Sequence, residues 1–296
     1  MKVLVTGGTG TVGTEVVKAL LGRGASVRVL SRNKVARLPA GAEAAVGDLL
    51  NPDSVRAALH GADKLFLLVA NTADELAQAL LTFALARQAK VKHLTYLSVY
   101  QAERFPEVPH FIAKHAVEMA LKASEVPFTV LRPGYFFQND AALKAALTGP
   151  GLYPTPIGAA GIAAVDVRDI AEAAAVSLTQ GGHAGKMYNL VGPAPLSGPG
   201  AAAAWADALG RLVHYAELPL DAFEGQLRQM VPAWLAMELR LMFQGFHERG
   251  FAPTAADVAA LTTLIGHAPR RYEDFVHETA IAWGITPGRS AADARP

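Results

Sequence analysis

The sequence predicts an α/β protein: a doubly wound parallel sheet, followed by a smaller, mostly helical C-terminal lobe. Three observations predict it. Short apolar runs alternate with amphipathic, helix-period runs through the first two-thirds of the 296 residues, and parallel strands buried on both faces by crossover helices carry that signature. The first apolar run leads directly into a glycine loop and then a helical run, the opening of a mononucleotide-binding βαβ unit. Beyond a Pro/Gly stretch at 192–200 the pattern turns almost wholly helical.

Taken in order, Lys2–Thr6 is a buried strand built on Val3-Leu4-Val5. Thr11–Arg23 is a helix with Val12, Val16 and Leu20 on one face, stopped by Gly24. Ser26–Ser31 and Ala44–Val46 are the second and third strands. Asn51-Pro52-Asp53 opens a helix that runs to His60, with Pro in its first turn. Lys64–Val69, His93–Leu97 and Phe128–Leu131 are the fourth to sixth strands. Glu75–Ala89 and His110–Ser124 are the helices between them, and Arg132-Pro133-Gly134 ends the last strand. Gly149–Gly161 reads as a loop. Asp166 caps a helix to Thr179, and Lys186–Val191 returns a strand to the sheet. The later helices are Ala201–Gly210, Asp221–Met230, Ala233–Arg249, Ala255–Gly266 and Tyr272–Gly284. The domain reading is therefore 1–192 for the dinucleotide-binding part, with 135–160 contributing to a substrate pocket, 193–286 for a helical substrate lobe, and 287–296 for a tail.

Composition removes several function classes. Half of the residues are apolar (51%) and 18% are charged, so a large core can form. The 27 basic and 26 acidic side chains are interspersed without a basic stripe, which argues against a nucleic-acid partner. There is no cysteine, so disulfides, zinc–thiolate sites and thiol nucleophiles are excluded. The nine histidines show no metal-ligand spacing, and no metal is expected. Neither a secretory leader nor a membrane span is expected, and the reading is a cytoplasmic protein.

Gly7, Gly10 and Gly13 fall at G-x-x-G-x-x-G spacing between the first strand and the first helix. Such a loop needs glycine for a tight turn, for close approach of backbone to a pyrophosphate, and for close packing of helix on strand. The open N–H groups of the helix start then face the anion. Gly7, Thr9, Gly10, Thr11, Val12 and Gly13 are accordingly cofactor-binding candidates, and the fold is a Rossmann type. The second strand ends in Ser31-Arg32-Asn33, without the acid that would hold a ribose 2′-hydroxyl. Arg32 suits a 2′-phosphate, so NADPH is the expected cofactor. Asp48 and Leu49 after the third strand and Ala70 after the fourth complete the expected rim. Asp48 either accepts from an adenine amino group or shapes the turn before Pro52.

With these residues in view the chain resembles the short-chain dehydrogenase/reductase superfamily, and most of all its atypical NmrA-like branch. The matching stretches are Thr6–Gly13, Gly47-Asp48-Leu49, Leu97-Ser98, and His110-Phe111-Ile112-Ala113-Lys114 with Glu118. Leu131–Asn139, which contains Pro133, Tyr135 and Phe136, and Val165–Ala171 also match. The resemblance implies that Lys114 holds the nicotinamide ribose, that Ser98 can hold a carbonyl oxygen, and that Pro133, Tyr135 and Phe136 contact the cofactor. Tyr100 and Tyr135 are further sources of a hydroxyl. The chain departs from the superfamily where His110 stands in place of the tyrosine four residues before the lysine. His110 either donates a proton or only caps the helix, and the alternative to a ribose role for Lys114 is an ordinary i, i+4 surface pair with Glu118.

In the lobe, Met230, Trp234, Met237 and Leu241 recur at helical spacing beside Met242, Phe243 and Phe246. They read as lobe core, as a contact in a homodimer, or as an apolar wall for a flat substrate. The function the sequence supports is an NADPH-dependent oxidoreductase, passing hydride to an apolar conjugated small molecule such as a quinone or azo compound. Such an acceptor forms a delocalised anion and needs no strong general acid, which fits the missing tyrosine. The alternative is a non-catalytic NADPH-sensing regulator of the same branch.

Overall fold

The computed structural model describes residues 1–33 and 38–285; the expected tail at 287–296 lies outside the described residues. The chain opens with β1 (Lys2–Thr6), α1 (Thr11–Gly22), β2 (Ser26–Ser31) and β3 (Ala42–Val46). There follow α2 (Pro52–Leu59), β4 (Lys64–Leu67), α3 (Glu75–Gln88), β5 (His93–Leu97), α4 (Pro109–Lys122) and β6 (Phe128–Pro133). Next come β7 (Tyr135–Phe136), α5 (Lys144–Thr148), β8 (Leu152–Tyr153), β9 (Ala164–Val165), α6 (Val167–Thr179) and β10 (Lys186–Leu190). The chain continues through α7 (Gly198–Leu209), β11 (His214–Tyr215), α8 (Leu220–Leu227), α9 (Ala233–Arg249), α10 (Ala255–Ile265) and α11 (Tyr272–Ala282).

Two compact units result. The first comprises Met1–Pro133, Val167–Leu190 and Ala259–His267. The second comprises Gly134–Asp166, Val191–Val258 and the described residues from Ala268 onward. These units do not follow chain order: 134–166 joins the second unit, while Ala259–His267, which holds part of α10, belongs to the first.

The first unit holds a seven-stranded sheet in the order β10-β6-β5-β4-β1-β2-β3, every pair parallel. Strand order reverses between β1 and β4, which pair from Val3 opposite Lys64 to Val5 opposite Phe66. Ligands of open α/β sheets bind outside the carboxyl ends of the strands at such a reversal. Thr6 fastens that point, because its hydroxyl donates to the Leu68 carbonyl at 2.8 Å and accepts from the Leu68 N–H at 2.9 Å. Leu4, Leu65, Leu67, Leu94, Tyr96 and Val130 bury one sheet face under Val55 and Leu59 of α2, Phe83 of α3 and Leu121 of α4. On the other face Thr95 meets Ser177 of α6 at 3.0 Å, and α6 packs on α1. Fully burying an aliphatic side chain of this size stabilises by about 1.5–3 kcal/mol.

In the second unit the expected loop at 149–161 contains β8, which pairs in parallel with β11. β9 pairs with β7; strands of two residues carry too little periodicity to be read from sequence. α7 begins at Gly198, three residues before its expected start, because the Ser197 hydroxyl accepts from Gly200 N–H and Pro199 occupies the first turn. Trp205 stacks on Trp283 at 4.9 Å and meets Phe275 edge-on. Phe243 and Phe246, with Phe223 and Phe251, form a second aromatic cluster. The methionine–tryptophan stripe is not core: Met230, Trp234 and Met237 are 74%, 39% and 41% exposed, whereas Met242, Phe243 and Phe246 are buried.

Candidate functional site

The glycine loop divides into positions the fold requires and one it does not. Gly7 has φ +65°, and a Cβ there would meet Leu68 Cδ2 at 2.3 Å. At Gly13 a Cβ would lie 2.1 Å from the Gly7 carbonyl oxygen, and at Gly8 it would lie 2.7 Å from Val29. These glycines allow the turn and let α1 approach the sheet. A Cβ on Gly10 meets nothing nearer than the Gly7 oxygen at 3.5 Å, at an ordinary φ of −84°. The protein itself leaves that space. Gly10 is the N-cap of α1 with no side-chain cap, and no acid lies in the first turn. Thr9, Gly10 and Thr11 are exposed and Val12 is buried. The helix start thus presents N–H groups and positive dipole to an accessible surface, the requirement for binding a phosphate.

Arg32 is exposed just beyond β2. Asp74 carries a lowered pKa, chiefly from hydrogen bonding to Thr72, with the Arg32 charge contributing. Asp48 shapes a turn: its carboxylate accepts from Leu50 N–H at 2.8 Å, and its backbone exchanges hydrogen bonds with the Ser54 hydroxyl. The cap of α2 is Asn51, which accepts from the N–H groups of Asp53 and Ser54. Leu49 is half-buried and Ala70 exposed.

On α4, His110 and Lys114 lie one turn apart. His110 is half-buried and meets Phe111 edge-on at 4.8 Å. The alternative Lys114–Glu118 surface pair is not formed. Lys114 Nζ donates instead to Glu75 Oε1 on α3 at 2.5 Å, with side chains 13% and 4% exposed. Glu118 is fully buried and belongs to Arg132, which donates to both its oxygens through Nε and Nη2. Burial alone would lower the Arg132 pKa, but the Glu118 contact overrides it and raises it. Ser98 donates to the same carboxylate at 2.6 Å. The hydroxyl expected to hold a carbonyl oxygen therefore already directs its only proton to Glu118. Tyr100 is buried, with its N–H on the Pro133 carbonyl. Tyr96 sits among these groups, its phenol pushed well up by burial and then by the charges of Glu75 and Glu118. Arg132 lies in a stretch that carries the resemblance, but its partner Glu118 and the role of Glu75 were not read, because both bonds cross between elements.

Tyr135 and Phe136 belong to the second unit and are half-buried. The Tyr135 hydroxyl donates to Asp140 at 2.7 Å. Tyr153 and Tyr272 donate to the other oxygen of Asp140 at 2.9 and 2.5 Å, and Trp205 Nε1 donates to the Tyr272 hydroxyl at 2.9 Å. Burial raises the Asp140 pKa to about 6 against the opposing effect of the three phenols. These phenols are anchors of a buried acid.

Asp169, Glu172 and His267 bring their ligand atoms within 4.8 Å of one another. Within this group His267 Nε2 is already paired with Glu172 at 2.7 Å. His267 reaches Glu172 from 95 residues along the chain, so spacing along the sequence does not reveal the grouping. Among the described residues no helix is long and apolar enough to cross a membrane.

Comparison with known proteins agrees with this fold. The model of the NmrA-like family matches residues 1–274. The NAD(P)H azoreductase of Xenophilus azovorans is 31% identical, covering 95% of this chain and 99% of its own. The crystal structure of the NADPH-dependent quinone oxidoreductase from Escherichia coli, complexed with NADPH, superimposes with a TM-score of 0.80 at 27% identity, covering 93% of this chain and 99% of that one. The triphenylmethane reductase of Citrobacter sp., complexed with NADP(H), gives 0.82 at 26% identity, covering 95% of this chain and all (100%) of that one.

Proposed function

The chain belongs to the NmrA-like family, and we propose that it is an NADPH-dependent reductase acting in the cytoplasm on apolar, conjugated small molecules such as quinones or azo compounds. The observation that carries the reading is Gly10, a glycine that nothing in the protein demands, at the uncapped start of α1 beside the strand-order reversal. The residues fit a dinucleotide: backbone N–H groups of the first turn of α1, from Thr11 to Gly13, for the pyrophosphate, and Arg32 for the 2′-phosphate. Lys114 keeps two N–H donors beyond its bond to Glu75, enough for the ribose hydroxyls. Relatives described as azoreductase, quinone oxidoreductase and triphenylmethane reductase support the acceptor class. When bound, NADPH supplies the hydride. The chain supplies orientation through the glycine loop and Lys114, and a proton from His110 or from water.

The test is NADPH oxidation with a panel of quinones, azo dyes and simple ketones, for the wild type, Lys114→Met and His110→Ala. We expect quinones or azo dyes to turn over best. Lys114→Met should cost on the order of a hundredfold through lost positioning, and His110→Ala less than about tenfold, because proton transfer to a delocalised anion does not limit the rate. Ketones as best substrates, with His110→Ala the more damaging change, would overturn the acceptor class. Tight NADPH binding with no turnover on any acceptor would replace the enzyme by the sensing regulator.

A further inference from the structure

Glu75 is a buried acid in an ion pair, and such pairs are weak sources of stability. It is the first residue of α3 and 3% exposed. One oxygen takes the Lys114 ammonium at 2.5 Å, while Oε2 is buried without a hydrogen-bond partner. Well-packed apolar replacements of buried ion pairs are often neutral or stabilising. What this pair does provide is direction. A lysine has a flexible four-carbon stem and three rotatable donors; fixing one N–H from behind fixes where the other two point. The neighbouring charges do not compete for the ammonium. Glu118, one turn further along α4, is taken up by Arg132 and Ser98, and the positive end of the α3 dipole favours a carboxylate at Glu75.

We propose that Glu75 is the positioning residue of Lys114: it holds the ammonium from the protein side so that two N–H groups remain aimed at the ribose of the dinucleotide. The proposal rests on the reading of this chain as an NADPH-binding protein. Its test is a double-mutant cycle on NADPH affinity, read by fluorescence titration without any acceptor, for the wild type, Glu75→Gln, Lys114→Met and the double variant. If Glu75 acts only through Lys114, each single change weakens binding about tenfold and the double change also costs about tenfold. Factors that multiply to about a hundredfold, or a Glu75→Gln protein that binds as tightly as the wild type, overturn the positioning role. Should Glu75→Gln fail to fold by circular dichroism, the cycle is run with Glu75→Asp. That change keeps the charge but shortens its reach, and the same non-additivity is expected. A wild type that binds no NADPH refutes the functional reading itself; a binding wild type with additive variants refutes only the role of Glu75.

Discussion

Substituting valine for Gly10 and alanine for Gly13 should separate ligand binding from folding within one loop. At Gly10 the backbone is extended, φ −84° and ψ 177°, and a Cβ lies 3.5 Å from the Gly7 oxygen, an ordinary van der Waals contact. Glycine is also dispensable as an N-cap that makes no side-chain bond. Stability should therefore change by no more than about 1 kcal/mol, with the reduced freedom of the unfolded chain offsetting some of the loss. At Gly13 even a methyl group sits 2.1 Å from the Gly7 oxygen and 2.6 Å from the Gly8 Cα. Helix and strand must part, at a cost in the overpacking range of about 1–3 kcal/mol or above. Binding should respond in the opposite order of interest: a valine at position 10 fills the space through which backbone amides reach a pyrophosphate, and NADPH affinity should fall by about two decades or more, roughly 3 kcal/mol. Urea unfolding and calorimetric titration with NADPH measure both quantities. A Gly10→Val protein that binds NADPH like the wild type would show that the loop is not the cradle. A Gly13→Ala protein as stable as the wild type would show that the close packing is not needed.

Two further outcomes follow from single side chains. Arg32→Ala should weaken NADPH about tenfold or more and leave NADH unchanged, since only NADPH carries the 2′-phosphate; equal affinity of the wild type for both cofactors would refute the assignment. The second outcome concerns pH. Asp140 has a folded pKa raised from 3.8 to about 6, so its stabilising contribution is present below about pH 4 and lost as pH rises through 6, a change of about 3 kcal/mol. His93 is buried against the Thr129 hydroxyl at 2.9 Å, and burial lowers its pKa from 6.5 to about 4. Its contribution is present above pH 6.5 and lost as pH falls through 4, also by about 3 kcal/mol. The two slopes oppose each other over one window. Relative to Asp140→Asn, the wild type should lose stability between pH 4 and 6.5; relative to His93→Gln it should gain. Unfolding curves across that range measure the differences, and a difference that does not change with pH would contradict the corresponding shift.

The sheet was legible because its strands are apolar on both faces and bounded by glycine and proline, signals that lie within each short segment. The glycine loop was legible for the same reason: its three requirements fall within seven residues. Beyond that, local spacing did not show which partner a side chain takes. Lys114 and Glu118 share a helix face, and the i, i+4 spacing suggested a pair. The pair does not form because a buried acid takes the partner that satisfies both of its oxygens, and Arg132 arrives from β6 with a two-pronged guanidinium. That leaves Lys114 for Glu75, 39 residues back. Tyr135 was visible as a hydroxyl at a strand end, but not its destination: Asp140 gathers phenols from β7, β8 and α11, the last 132 residues away. Of the three readings of Met230, Trp234 and Met237, exposure removes lobe core, and helical spacing could not do so because it gives a face without saying which way it turns.

The corrections to the site bear on what it can reduce. A simple carbonyl that accepts hydride leaves its charge on one oxygen, and that oxygen must be held and protonated as the charge develops. The two hydroxyls suited to that work are missing here in different ways. One is absent from the sequence, where His110 stands in place of a tyrosine. The other is present, but Ser98 directs its proton to a carboxylate that Arg132 also holds, at 2.6 Å and fully buried. Releasing it would remove one of the two hydrogen bonds that Glu118 Oε1 accepts, and a hydrogen bond to a charged group contributes about 1.5–3 kcal/mol. What remains, on the proposed reading, is the part indifferent to the acceptor: the open start of α1, Arg32, and Lys114 with its bond to Glu75. A site that keeps its means of orienting a cofactor and lacks its means of stabilising a localised alkoxide suits acceptors that carry their own stabilisation. Quinones and azo compounds do so by delocalising the added charge over a conjugated system.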